Sequence, residues 1–492
     1  MAASFFPPIA LVAGKLPKYR QLCDWFRSAI IEGRLRPGQR LPSTRSFAKE
    51  LRTSRITVQN AYEQLLAEGY LETFVGAGTC VAREIADQNV RASSAPAGTP
   101  PIPNSRRRRR ISRRFARLRA KEQPWHKGLE AFRHGIPALN QFPTQTWARL
   151  LHRSLRDCTS DLLAHDDPMG YLPLRAAIAE YLGVTRSVRC DASQVLVTNG
   201  SQQALLLCAT VLLDANEPIW VEEPGYPGAH DAFRAAGLRL IPVPVDRQGL
   251  DVVSGRKRNP NARAVYVTPS HQLPLGITMA APRRMSLLSW AKRRGAWIIE
   301  DDYDSEYRFE SRPITSLQGL DGDARVIYLG TFSKAMFPAL RLGHMVLPPD
   351  LVPAFTDARG SSDPYCSISN QLAMTAFIRE GHLARHVRRM RTLYSQRRKA
   401  LIEAIRRHLG GVLEVIGDDA GTRLVALLPP GADDVSVGKA AAANGISARP
   451  LSTCYLRRPA RGGLVLGYGN IELPEIDDGV RKLKAVIEAV ID

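Results

Sequence analysis

The chain's 492 residues exceed what one hydrophobic core usually holds, so two or more domains are expected. With 44% hydrophobic and 23% charged residues, the composition is that of an ordinary globular protein and excludes a disordered or fibrous chain. The net charge of +21 is uneven: residues 1–83 carry +6, residues 84–122 carry +8, and the remaining 370 residues only +7, which points to a polyanionic partner for the N-terminal part or to a solvated basic linker.

The longest apolar run, Ala204–Leu213, is too short to span a bilayer and reads as a core helix. The first residues show neither a basic n-region nor a cleavage site, so no signal peptide and no membrane contact are expected. Seven cysteines lie scattered without a C-x-x-C pair, which argues against a disulfide framework or a zinc site. A reducing, cytoplasmic setting without a metal is the expectation.

Residues 15–83 read as one small domain. Leu22, Trp25, Phe26, Ala29 and Ile30 follow helical spacing between Tyr19 and Glu32. Ser43 can cap a short helix containing Phe47, Ala48 and Leu51. Ser54 can cap another, with Val58, Ala61, Tyr62 and Leu65 on one face, and Gly69 ends it. Short strands near Leu71–Phe74 and Thr79–Ala82 flank a hairpin tip, Gly76-Ala77-Gly78. Three helices and a two-stranded wing make a winged helix-turn-helix, whose third helix presents its N-terminal residues to base edges. Those residues are Ser54, Arg55, Thr57 and Gln59, with Arg45 at the start of the preceding helix. The residues alone also allow a small helical cap with surface arginines. Residues 84–122, rich in Pro, Ser, Ala and Arg, read as a flexible linker.

From residue 123 onward, helical patterns alternate with apolar runs such as "QVLVT", "PIWVEE", "ARAVYVTP", "AWIIED" and "RVIYLG", which suggests a mostly parallel sheet covered on both faces. Residues from about 380 to 492 read as a smaller α/β subdomain. In such sheets ligands bind at the carboxyl ends of strands. "TNGSQQAL" (198–205) puts a glycine-serine turn at a helix start, a phosphate cradle. "IIEDDYDSEY" (298–307) puts three carboxylates after a buried strand, where a metal or a protonated ring nitrogen would relieve their repulsion. "GTFSKAMFPALRLG" (330–343) sets Lys334 among apolar residues, where an amine of lowered pKa can attack an aldehyde. A phosphate cradle, a carboxylate for a pyridinium and a Schiff-base lysine are together what pyridoxal phosphate requires.

Two resemblances follow. "EGRLRPGQRLPSTRSFAKELRTSRITVQNAYEQLLAEGYLETFVGAGT" resembles the GntR-type DNA-binding domain. That resemblance implies DNA contacts at Arg45, Arg55, Thr57, Gln59 and the wing glycine Gly76. "DDPMGYLPLRAAIAEYL", "VEEPGYPG", "VTPSHQLPLGITM" and "EDDYDSEYRF", with the lysine motif, resemble the fold-type I aminotransferase domain of the MocR subgroup. By that resemblance Lys334 holds pyridoxal 5'-phosphate as a Schiff base and Asp301 pairs with the ring nitrogen. Tyr303 bonds the ring oxygen, and Tyr226 stacks on the ring. Ser201, Gln202, Thr331, Ser333 and Arg341 hold the phosphate, and His271 or Gln272 sits near the ring oxygen.

The pattern also departs from the relatives. His165 stands where they often have a tyrosine reaching the neighbouring subunit's phosphate, and Gly228 stands where a γ-aminobutyrate sensor has an arginine. Arg449 and Arg461 are the candidates for a carboxylate-binding arginine. The expected function is a cofactor-dependent transcription regulator that responds to the cofactor or to an amine or amino acid effector. An active aminotransferase with an autoregulatory reader, or a protein with both sites inert, are the other readings. A head-to-tail homodimer facing two operator half-sites is implied.

Overall fold

The computed structural model describes residues 9, 11, 16–74, 78–83, 112, 123–126, 128–164, 167–309, 314–417 and 420–491. The chain divides into two compact units, residues 1–109 and 110–492. Gly76, His165 and nearly all of the expected linker lie outside the described residues.

In the first unit, α1 (Lys18–Ile31), α2 (Thr44–Glu50) and α3 (Arg55–Ala67) precede an antiparallel pair, β1 (Leu71–Phe74) and β2 (Gly78–Val81). The apolar spacing noted in the sequence becomes one core: Leu22, Phe26, Phe47, Val58, Tyr62 and Leu65 are all buried together. Phe26 meets Tyr62 edge-on at 5.7 Å. Both expected caps form. Ser43 accepts the Ser46 N–H at 3.2 Å and Ser54 accepts the Thr57 N–H at 3.1 Å, satisfying donors that a helix start otherwise leaves orphaned. The Tyr62 hydroxyl donates to the Pro42 carbonyl at 3.1 Å, tying α3 to the entry of α2.

The second unit is built on an eight-stranded sheet. Its strands are β3 (Val195–Thr198), β4 (Pro218–Glu223), β5 (Arg239–Asp246), β6 (Gly249–Leu250), β7 (Ala264–Val267), β8 (Trp297–Asp302), β9 (Val326–Thr331) and β10 (Gly343–Val346), in the spatial order β3-β10-β9-β8-β7-β4-β5-β6. The five strands from β9 to β5 run parallel, as their near-continuous apolar runs suggest. β10 runs antiparallel to both neighbours. It returns from β9 through a connection whose only regular element is the 3-10 turn Pro338–Leu340, and a parallel return would need a full crossover. Helices such as Ser201–Leu212 and Ala281–Arg294 pack on the sheet, and Trp220 stacks on Trp290 at 4.0 Å.

The C-terminal part carries a four-stranded antiparallel sheet of β11 (Glu414–Ile416), β12 (Arg423–Leu427), β13 (Arg449–Pro450) and β14 (Gly463–Gly467), ordered β11-β12-β14-β13. The long helix His382–Leu409 and the helix Leu473–Ile491 pack with it. A strap, residues 131–137, lies against β14: the Gly467 N–H donates to the Phe132 carbonyl at 2.8 Å. Glycine is required there, because a Cβ on Gly467 would sit 2.5 Å from the Arg133 carbonyl oxygen and 2.6 Å from the His134 Cα. Among the described residues no helix is long and apolar enough to cross a membrane.

Candidate functional site

The carboxyl ends of β3, β8 and β9 converge on a cavity of about 350 Å³. After β3, Gly200 takes φ 92° and caps the helix Ser201–Leu212, so the first-turn N–H groups of Ser201 and Gln202 face the cavity end of that helix. A Cβ on Gly200 would come 3.3 Å from Arg341 Nη1, so the bare glycine leaves space between the helix start and the guanidinium. Arg341 has no acidic partner among the described residues. After β9, Ser333 N–H donates to Thr331 Oγ1 at 3.2 Å, and the Thr331 hydroxyl donates to Ser333 Oγ at 3.0 Å. A helix N-terminus, two hydroxyls and an unpaired arginine form an anion cradle.

Deeper in, Asp301 at the end of β8 accepts from the Tyr266 hydroxyl at 2.7 Å through Oδ2, while its Oδ1 is buried without a partner. Burial pushes this carboxyl up to about 7, with neighbouring Asp302 and Asp304 adding to the rise and the Tyr266 bond opposing it. Lys334 Nζ donates to the Gly135 carbonyl at 2.7 Å. Burial lowers its amine to about 8; Asp304 and Asp301 pull the value up, and Arg423 pulls it down.

Beside them lies a buried cluster that no contiguous motif announces. Arg423, from the start of β12, reaches the Tyr303 hydroxyl, the Gln272 carbonyl at 3.2 Å and Asp304 at 3.3 Å. The Tyr303 hydroxyl donates to the His271 carbonyl at 2.7 Å. His271 Nδ1 lies 2.9 Å from Asp304. Burial alone would raise Asp304, but His271, Arg423 and Lys334 outweigh it and hold the carboxyl below its ordinary value.

Lys334, Asp301, Tyr303, Tyr226, Ser201, Gln202, Thr331, Ser333 and Arg341 all line this cavity. Tyr226 accepts from the Gln202 amide at 3.1 Å. Gly228 makes that possible, since a Cβ there would lie 2.2 Å from Gln202 Nε2 and 2.4 Å from Tyr226 Cζ. His271 and Gln272 stand behind the wall rather than on it, the Gln272 amide being spent on Glu222 and the Pro224 carbonyl. Arg461 is turned away to Glu414 and the Leu428 carbonyl, and Arg449 is buried against His134. Sequence reasoning missed Arg423, Thr422, His126, Arg133 and His134 as cavity residues. Among the described residues no group of three or more His, Cys, Asp or Glu is gathered to hold a metal.

In the first unit, Arg45 and Arg55 are exposed and carry no ion pair among the described residues. Ser54 and Thr57 are committed to each other at the cap, at 2.8 Å, and Gln59 donates to Glu63 at 2.9 Å. Ile56, 69% exposed beside Arg55, adds an apolar group to the same face.

The chain matches the family model "Aminotransferase class I and II" over residues 139–464 and "Bacterial regulatory proteins, gntR family" over residues 18–81. It is 41% identical to the probable rhizopine catabolism regulatory protein MocR of Rhizobium meliloti, across 96% of this chain and 94% of that protein. The chain belongs to the MocR-type GntR regulators. Within this family it is also 30% identical to the pyridoxine biosynthesis transcriptional regulator PdxR of Corynebacterium glutamicum, over 94% of this chain and 95% of that one. Its aminotransferase-like unit is similar to α-aminoadipate aminotransferase LysN of Thermus thermophilus, solved with N-(5'-phosphopyridoxyl)-L-leucine, with a TM-score of 0.72 and 29% identity over 77% of this chain and 98% of that one. A MocR-type regulator couples a DNA-binding winged helix to a fold-type I aminotransferase fold, and both parts are present here.

Proposed function

We propose that the second unit binds pyridoxal 5'-phosphate in the cavity around Lys334, and that the occupant of this cavity biases how the first unit engages operator DNA. The observation that carries the reading is the pairing, in one cavity, of the partly buried Lys334 amine with a buried Asp301 carboxylate that has an orphaned oxygen. The donor set fits the cofactor. Among the described residues Asp301 Oδ1 is buried without a partner, which suits a protonated ring nitrogen, and Arg341 meets no carboxylate, which suits a phosphate.

When bound, the cofactor supplies an aldehyde that primary amines capture reversibly and a ring that withdraws electrons. The chain's residues have the remaining tasks. Lys334, its pKa lowered to about 8, has a far larger neutral, nucleophilic fraction near neutral pH than an ordinary lysine. Asp301 holds a proton on the ring nitrogen. Ser201, Gln202, Thr331, Ser333 and Arg341 hold the phosphate. Tyr226 covers one ring face, and Tyr303 presents its hydroxyl toward the ring oxygen under the control of Arg423. His271 acts through Asp304, from behind the wall.

The assembly is a head-to-tail homodimer in which two winged helices read two half-sites through Arg45, Arg55 and Gln59. An amine or amino acid that competes with Lys334 changes the contacts around the strap and so shifts the balance between DNA-binding arrangements. The test is binding of the full-length protein to DNA upstream of its own gene, at fixed salt, with and without the cofactor, for the wild type and Lys334→Ala. A change of affinity or footprint that Lys334→Ala abolishes is expected. Identical binding in all four conditions would sink the coupling. A second reading, an aminotransferase with an autoregulatory reader, is supported by the complete Lys334–Asp301 pair. Multiple turnovers of amino transfer to an oxo acid would favour it.

A further inference from the structure

We infer that a second cavity, separate from the one around Lys334, binds a small zwitterion, with the ammonium on the Glu306 carboxylate and the anionic group on the Arg388 guanidinium. This cavity measures about 200 Å³. It is lined from the helix Leu172–Arg186, the turn that follows β8 and the helix His382–Leu409. It shares no lining residue with the cavity around Lys334, and the inference does not depend on what occupies that first cavity.

Two opposite charges face this space without meeting. Glu306 has no ion pair among the described residues, and its one hydrogen bond, from the Tyr181 hydroxyl, is long at 3.4 Å. Burial first, and Asp302 second, raise its carboxyl to about 7, as befits a carboxylate short of counter-charge. The arginines nearest to it are committed elsewhere. Arg186, on the same wall, donates to Asp302 at 2.6 Å, to the Ile314 carbonyl and to the Ser270 hydroxyl. Arg391 donates through Nε and Nη2 to the backbone carbonyl of Glu306, at 3.1 and 2.9 Å, rather than to its carboxylate. Arg388 is exposed, and its side chain makes no hydrogen bond or ion pair among the described residues. A plain cation would suit Glu306 but meet two guanidinium groups, and a plain anion would suit Arg388 but meet a carboxylate. A short ligand carrying both charges compensates each end. The turn also joins the two cavities: Glu306 stands between Asp304, which is held by His271 and Arg423, and Tyr307, whose hydroxyl donates to the Lys334 carbonyl at 3.2 Å.

Three matched probes test this: N,N-dimethylglycine, which carries both charges, 3-methylbutanoate, which keeps only the carboxylate on the same frame, and N,N-dimethylpropylamine, which keeps only the ammonium. None is a primary or secondary amine, so none can condense with an aldehyde in the first cavity. Calorimetric titration of the full-length protein is run at low salt, where an exposed guanidinium is least screened. Dimethylglycine is expected to bind about tenfold or more tightly than either analogue. Its advantage over dimethylpropylamine is expected to fall to within about twofold in Arg388→Gln, and its advantage over 3-methylbutanoate to do the same in Glu306→Gln. Arg388 is exposed and unpaired, so Arg388→Gln decides the matter even if Glu306→Gln does not fold. Lys334→Ala, which removes the amine of the first cavity, is expected to leave dimethylglycine affinity within about twofold of the wild type, so the functional reading can fail without touching this site. Equal affinity for the three probes in the wild type, an advantage that survives Arg388→Gln, or binding lost in Lys334→Ala overturns the inference.

Discussion

Asp301 and Lys334 set the pH behaviour of the site, and both push in the same direction. Asp301 is raised to about 7, so the cost of holding it ionised in the folded chain is fully present above that pH and fades as pH falls toward the ordinary carboxyl range, where it stays protonated. A cation at Oδ1 removes the penalty. Lys334 is lowered to about 8, so its neutral, reactive form grows between pH 7 and pH 9. The thermal stabilisation given by pyridoxal phosphate is therefore expected to be larger at pH 8 than at pH 6. In Asp301→Asn the stabilisation shrinks, cofactor affinity falls by about tenfold or more, and the pH dependence flattens. Melting curves with and without cofactor at the two pH values measure this, and an unchanged pH trend in Asp301→Asn would count against the assigned role. Gly228 gives a second test of residue-scale geometry. Any side chain there collides with Gln202 and the Tyr226 ring, so Gly228→Ala is expected to cost about 1–3 kcal/mol in stability. It is also expected to weaken cofactor binding, readable as a lower melting temperature and a weaker absorbance band. For the same reason this pocket could not accept an arginine at position 228 without moving Tyr226.

At the scale of elements, the strap couples the small subdomain to the site. Gly467 on β14 allows the strap to lie flat, and the strap carries the Gly135 carbonyl that receives Lys334. Gly467→Ala is expected to destabilise the second unit by about 1–3 kcal/mol and to impair cofactor capture together with it. A variant that melts early yet binds cofactor normally would show the strap to be a passive cover. The strap also marks where sequence reading runs out. The caps at Ser43 and Ser54, the Gly200 turn and the Lys334 motif each need only neighbours in the chain, so they are legible. Arg423 stands at the head of "RLVAL", which reads as an ordinary strand with one polar end, and nothing local shows that it meets Tyr303 and Asp304 from more than a hundred residues away. Arg133 and His134 sit in a segment with no regular structure and become cavity residues only because β14 holds them there. The parallel core of the sheet is readable from its apolar runs. The reversal of β10 is not, since it depends on the absence of a crossover helix after Lys334 rather than on the strand's own residues.

Over the whole molecule, the question is how a cavity in one unit changes DNA binding by the other, and electrostatics supplies a way to separate the parts. Arg106–Arg110 and the neighbouring basic residues bring a dense run of positive charge, whereas Arg55 stands at the start of α3 beside the exposed Ile56. Basic residues that only neutralise phosphates contribute to the salt dependence of binding, with a log–log slope of about −0.9 per phosphate neutralised. Residues that read bases contribute to the difference between specific and non-specific DNA, about 1–3 kcal/mol for a good bidentate contact. Replacing Arg106–Arg110 by glutamine is thus expected to flatten the salt dependence on any DNA while leaving sequence discrimination intact. Arg55→Gln is expected to cut discrimination while changing the slope by about one unit or less. Ligand coupling has its own signature within this scheme. If the cavity's occupant repositions the winged helices on DNA, the cofactor, or an amine or amino acid that competes with Lys334, is expected to change the specific affinity by about 5- to 150-fold and leave non-specific binding nearly untouched. Should the same ligands change both affinities equally, the cavity would be acting on net charge or assembly rather than on the spacing of the readers. Titrating specific and scrambled DNA in parallel, across a salt series and with each ligand state, distinguishes the two.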